Sequence, residues 1–162
     1  MKKTVLLFAL FIGLLITSSG FNRTSLNTSI GKSAPDLALD KIEQVIKQNE
    51  DSDKYVLLAF WSASDGASRA AVNNYNSWIN SNRPANIDFV SVNFDKSESL
   101  FHAIVKQDSL DPSRQFNVSG NVARQIINDY HLDDGYGSLL IDPEGVIVAH
   151  NPTDSRLEEV AI

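Results

Sequence analysis

The sequence predicts an α/β fold: a central mixed β-sheet flanked by helices on both faces and closed by a C-terminal β-hairpin. Three observations lead there. Apolar runs of strand length alternate with stretches whose apolar residues recur at the i, i+3, i+4 spacing of one helix face. Residues 55–61 (YVLLAFW) are apolar almost throughout, as suits a strand covered on both sides. Residues 138–141 and 146–149 are short apolar runs separated by Asp142, Pro143, Glu144 and Gly145, with proline and glycine where a tight turn favours them. Strands joined through helices run parallel with right-handed crossovers, whereas a hairpin is antiparallel, so the sheet must be mixed.

The chain has 162 residues, a formal net charge of -6 and no cysteine. Its length and 43% apolar content suit one domain with a real core. The acidic balance argues against general nucleic-acid binding, which needs clustered Lys and Arg. The missing cysteine excludes disulfides, thiolate catalysis, iron–sulfur clusters and cysteine-ligated zinc within this chain.

Residues 1–20 show the three parts of a secretory signal. Lys2 and Lys3 are followed by an apolar run from Val5 to Ile16, then by Thr17, Ser18, Ser19 and Gly20, small enough for cleavage near Gly20. The run spans about 18 Å as a helix, short of the ~30 Å hydrocarbon core, and an uncleaved anchor is the alternative. The expectation is an exported protein, periplasmic or extracellular, with no membrane span after signal cleavage. Residues 21–33 are rich in Ser, Thr and Asn and read as a flexible linker, and residues 34–162 as the domain. Asn22, Asn27 and Asn117 open glycosylation sequons, which act only in a suitable secretory host.

Within the domain, residues 40–48 carry Ile42, Val45 and Ile46 on one helical face. After the strand at 55–61, residues 62–68 are small and polar. Residues 69–80 then place Ala71, Val72, Tyr75, Trp78 and Ile79 on one stripe, a helix closed by Pro84. Residues 87–94 alternate apolar with polar and read as a second strand. Residues 97–107 put Leu100, Phe101, Ile104 and Val105 on one helical face, and residues 108–120 read as a long polar connection. Residues 122–130 give a further helix through Val122, Ala123, Ile126, Ile127 and Tyr130. The hairpin follows, and residues 154–162 form a short terminal helix.

Four local motifs occur in a telling order: GKSAPD from Gly31 to Asp36, YVLLAFW from Tyr55 to Trp61, SASDGASR at 62–69 and LLIDPEGVIVA at 139–149. Together they resemble the thioredoxin-like superfamily, most nearly the exported TlpA/ResA-like thiol–disulfide oxidoreductases and more distantly the peroxiredoxins. The resemblance runs from about Gly31 to the end and implies a thioredoxin-like fold. It places Asp65 and Ser68 at the two cysteine positions of the family's CxxC motif, with Gly66 and Ala67 between them and Trp61 and Arg69 at matching flanking positions. Exchange needs a thiolate at a helix N-terminus and a second thiol to resolve the mixed disulfide. A carboxylate and a hydroxyl supply neither. Tyr136, just before Gly137, stands in place of the family's cis-proline. A non-proline cis bond costs ~3 kcal/mol, so a trans loop is expected. Ala59 stands where thioredoxins proper carry a buried acid. The chain therefore reads as a redox-inactive relative with no catalytic residue of the family.

The resemblance also implies a groove between the loop at 134–138 and the helix start at 65–68. Trp61, Ser64, Asp65, Tyr136 and Gly137 are its candidate residues, and an extended peptide can pair there through its backbone. Read from the residues alone, Asp65 is a helix cap with Ser64 as its rival. By the same reading Tyr136 fills space beside small neighbours, and Trp61 and Trp78 belong to the core. Ser68 lacks the GxSxG pattern of a nucleophile elbow. His102, His131 and His150 form no paired ligand motif, and Asp51, Asp53, Asp133 and Asp134 are turn acids without calcium-loop spacing. No metal and no cofactor are expected. The functional expectation is an exported, redox-inactive module that binds a peptide or protein partner. The alternatives are non-thiol chemistry using Asp65, Ser68 or a histidine, and a divergent paralogue without a site-specific function.

Overall fold

The computed structural model describes residues 28–37, 39, 42 and 53–161. The expected signal, most of the expected linker with Asn22 and Asn27, and the expected helix at 40–48 lie outside the described residues. The exception in that helix is Ile42, which is helical and fully buried.

β1 (Tyr55–Trp61) forms where the apolar run predicts it. Its side chains divide by parity: Val56, Leu58 and Phe60 enter one core, and Leu57, Ala59 and Trp61 enter the other. Burial on both sides is the reason the run shows no polar alternation. β2 (Ile87–Asn93) lies parallel to β1, and β4 (Ser138–Ile141) lies antiparallel to it on the opposite side. β5 (Ile147–His150) completes the hairpin. The turn between β4 and β5 is fixed by Asp142, whose Oδ1 accepts from the Val146 N–H at 2.8 Å, and by Gly145 at φ +78°, where a side chain would be strained.

Among the fully described elements, four helices cover the sheet: α1 (Gly66–Asn82), α2 (Glu98–Gln107), α3 (Gly120–Asp129) and α4 (Asp154–Val160). α1, α2 and α4 give Val72, Trp78, Phe101, Ile104 and Leu157 to the core of Trp61, while α3 gives Ala123 and Ile126 to the core of Phe60. A mixed sheet with helices on both faces is thus the observed architecture.

Four details differ from the sequence reading. The connection at 108–120 contains a 3₁₀ turn (Pro112–Arg114) and a strand, β3 (Gln115–Asn117), parallel to β2, so the sheet order is β3-β2-β1-β4-β5. Only Phe116 in β3 is apolar. Gln115 and Asn117 enter the sheet through hydrogen bonds to Ser91 and Asn93, which no hydropathy pattern signals. α1 begins at Gly66 rather than 69, because a cap starts it before its apolar stripe does. Leu100 is 44% exposed, whereas its stripe partners Phe101, Ile104 and Val105 are buried. The folded part also begins before residue 34: Gly31 N–H donates to Ile147 O at 2.8 Å and Ile147 N–H donates to Lys32 O at 2.9 Å, which adds this segment to the edge of β5. The Asn117 sequon is engaged internally, since its Nδ2 donates to Asn93 Oδ1 at 2.7 Å and Asp95 O at 2.9 Å.

α1 is clamped to the loop after α2. Arg69 Nε and Nη2 each donate to Asp108 at 2.6 Å, and Asn73 Nδ2 donates to the same carboxylate at 3.0 Å. The guanidinium hydrogen bonds are the main reason the Asp108 carboxyl sits below its ordinary value. A folded pKa below the unfolded one stabilises above about pH 4, and that contribution is lost as pH falls through the folded value. Wild type should therefore exceed Asp108→Asn in urea midpoint at pH 7, with the gap narrowing at pH 3. A gap that stays constant would show that the ion pair adds no net stability.

Candidate functional site

The ends of β1 and β2, the start of α1 and the loop entering β4 meet at one end of the sheet. Pairing of Ala59 with Ser138 and donation from Phe60 N–H to Gly137 O at 2.9 Å bring residues 134–137 beside the end of β1. The loop contains no cis peptide, so Tyr136 follows Gly135 in trans, as its residue type predicts. Tyr136 is half-buried and stacks on Phe94, with ring centroids 5.3 Å apart and planes within 7°. Burial raises its phenol, and the nearby charges of Asp95 and then Asp65 raise it further.

Asp65 is the N-cap of α1. Its Oδ1 accepts from Ala67 N–H at 3.0 Å and Ser68 N–H at 2.8 Å, placing a negative group at the positive helix end. Ser64 does not cap; its hydroxyl is 2.9 Å from that of Ser62. Gly66 and Ala67 form the first turn. Ser68 is buried, donates to Asp65 O at 3.1 Å and accepts from Ser62 N–H at 3.4 Å, so its hydroxyl points into the turn rather than the groove. Asp65→Ala should lower stability by about 1 kcal/mol while Asp65→Asn stays near wild type, because asparagine caps as well as aspartate. Equal losses in urea unfolding would contradict this role.

Trp61 does not line the groove. It is wholly enclosed in the core, near Phe101, and its Nε1–H donates to Ser91 Oγ at 3.1 Å. Its parity in β1 turns it under α2, away from Tyr136.

Next to the segment that precedes Asp65 lies a residue the sequence reading missed, Asp95. It is 8% exposed. Its Oδ1 accepts from Ser62 Oγ at 2.8 Å, and its Oδ2 accepts from Ala63 N–H at 2.9 Å and Asn93 Nδ2 at 2.7 Å. The carboxylate thus ties the segment just before Asp65 to the end of β2, and Asn117 ties the end of β3 to the same network. Among the described residues, no Lys, Arg or His forms an ion pair with Asp95 or Asp65. The available signal was positional: Ser91 and Asn93 share the inward parity of Phe89, so polar residues stand where a strand should be apolar.

For other chemistry the site offers little convergence. The described residues contain no group of three His, Cys, Asp or Glu arranged to hold a metal ion. His102 is exposed on α2, 3.6 Å from Glu98, and no histidine bonds to Ser68.

The AhpC/TSA family model matches residues 30–150. A thioredoxin-like protein of Parabacteroides distasonis is similar at 37% identity and a TM-score of 0.63, over 67% of this chain and 80% of that one. The thioredoxin domain of a Bacteroides vulgatus thiol-disulfide oxidoreductase is 22% identical with a TM-score of 0.65, over 84% of this chain and 100% of that one. The C-terminal domain of a thiol-disulfide oxidoreductase from Bacteroides thetaiotaomicron is 22% identical with a TM-score of 0.64, over 82% of this chain and 93% of that one. No curated protein matches the chain. The fold is thioredoxin-like, and the two positions where its redox relatives are expected to carry cysteine hold a helix cap and a buried serine.

Proposed function

The chain belongs to the AhpC/TSA family, and on that premise we propose that it is an exported, redox-inactive thioredoxin-like domain that holds an extended segment of a partner protein. One observation carries the reading: the loop of Tyr136 and the capped start of α1 remain side by side although no sulfur is left between them. Without a thiolate the chain has no nucleophile for disulfide exchange. What persists is a shaped surface with an aromatic side chain, a carboxylate and loop backbone, the elements that strand-like peptide capture uses. The network of Asp95 supports this by fixing the segment before Asp65, which limits the conformational entropy lost on binding.

Export rests on the leader composition, and no helix among the described residues is long and apolar enough to cross a membrane. N-terminal sequencing of the mature protein should find a start near residue 21. The groove is tested by recovering bound partners from the native envelope with wild type and with the double variant Tyr136→Ala, Asp65→Ala. A partner held by wild type should be lost from the variant, and equal recovery of every partner would count against the groove.

A further inference from the structure

We propose that the chain carries a second binding site, a basic cavity at the opposite end of the sheet from Asp65, which takes a small phosphate monoester through Lys54, Arg83 and Arg114. The site is independent of the peptide-holding reading above.

Its position follows from the topology. β1, β2 and β3 run parallel, so their starts share one end of the sheet and their finishes share the other. Lys54 precedes β1, Asp88 is second in β2 and Arg114 precedes β3, whereas Asp65 and Asp95 follow the finishes of β1 and β2. Arg83 joins the first group from the C-terminal end of α1. These four residues line one cavity of about 310 Å³, with Asn80 beside them.

Three observations point to an oxyanion. The first is charge. In a chain of net charge -6, three cations line this cavity against a single carboxylate, Asp88, a local excess of two positive charges. The second is incomplete pairing. Lys54 Nζ lies 3.5 Å from Asp88 Oδ2, a loose contact between partly exposed side chains. The Arg83 side chain forms no ion pair among the described residues. The third is a buried donor without an acceptor, Nη1 of Arg114. Asp111 accepts only from Nε of that guanidinium, at 3.1 Å. Leaving such a donor unpaired is costly, and a bound ion is one way to satisfy it. A phosphate monoester carries close to two negative charges near neutral pH and three strong acceptor oxygens, which match the local excess and the planar forks of two arginines. The cavity has the volume of roughly ten waters, which leaves room beside the phosphate group for a short polar alcohol within reach of the Asn80 amide.

The test titrates inorganic phosphate, glycerol phosphate and acetate into the full isotope-labelled chain near neutral pH. The amide NMR signals of Arg83, Ala85, Asp88 and Arg114 report binding at this end of the sheet. Both phosphates should move them at a midpoint ~10-fold lower than acetate does, and high salt should raise that midpoint. Arg83→Gln and Arg114→Gln should each weaken glycerol phosphate by ~5-fold or more. Arg124→Gln, which removes the same charge from α3 outside the cavity, should change it by less than about twofold. Asp88→Asn should strengthen binding, a gain that a merely structural role for these side chains would not produce. Unmoved signals, equal midpoints for phosphate and acetate, no gain in Asp88→Asn, or a loss in Arg124→Gln as large as in Arg114→Gln would overturn the site. Binding of inorganic phosphate without glycerol phosphate would make it a free-ion site and overturn the ester.

Discussion

Trp61→Ala should lower the stability of the domain by about 4 kcal/mol, the largest single loss expected here. The indole sits in the last position of β1 with none of its surface exposed and lies 6.2 Å from Phe101 between ring centroids. Truncation leaves a cavity bounded by the sheet and α2, elements that cannot collapse without breaking strand pairing. It also removes the donor to Ser91 Oγ, whose own hydroxyl is given to Gln115 Oε1. Trp61→Phe should recover much of the packing and lose chiefly the hydrogen bond, about 1 kcal/mol beyond the smaller ring. Urea unfolding followed by circular dichroism separates the two. A loss below about 1 kcal/mol for Trp61→Ala would mean that this side chain is not core.

Asp95→Ala is expected to be second, at about 3 kcal/mol, because it removes the acceptor of Ser62 Oγ, Ala63 N–H and Asn93 Nδ2 at once. The pattern of substitutions is more telling than the size. In Asp95→Asn the amide oxygen can keep the two donors that now reach Oδ2, and its NH₂ can face the Ser62 hydroxyl, which is free to turn and accept. Asparagine should therefore be much milder than alanine. Ser64→Ala, at an exposed hydroxyl of the same segment, should change stability by less than about 0.5 kcal/mol. Thermal unfolding of the three variants checks the order, and an Asn variant as damaged as Ala would mean that the charge matters more than the geometry.

The sequence reveals what hydropathy and turn chemistry encode. β1 announces itself because two-sided burial leaves no polar residue in it, and the hairpin because Pro143 and Gly145 permit little else. The Asp65 cap is legible as well, since aspartate before small residues and a helical stripe has a local reason to be there. β3 is hidden because two of its three residues join the sheet through side-chain amides rather than apolar burial. Asp95 is hidden for a related reason: its partners Ser62, Ala63 and Asn93 come together only when two distant strand ends meet. Trp61 shows the reverse limit. Motif position draws it toward the groove, and strand parity sends it into the core. Leu100 fits a helical stripe by spacing, yet the first turn of α2 lies where little covers it.

Several similar solved structures are named thiol-disulfide oxidoreductases, whereas this chain has no cysteine and carries a helix cap, Asp65, and a buried serine, Ser68, at the start of α1. Insulin reduction with dithiothreitol as electron donor tests the consequence most directly. Wild-type protein is predicted to give the same rate of insulin precipitation as buffer at every pH from 6 to 8, because no sulfhydryl is present to carry the exchange. A rate that rises in proportion to protein concentration, in a preparation shown free of contaminating reductase, would contradict the account.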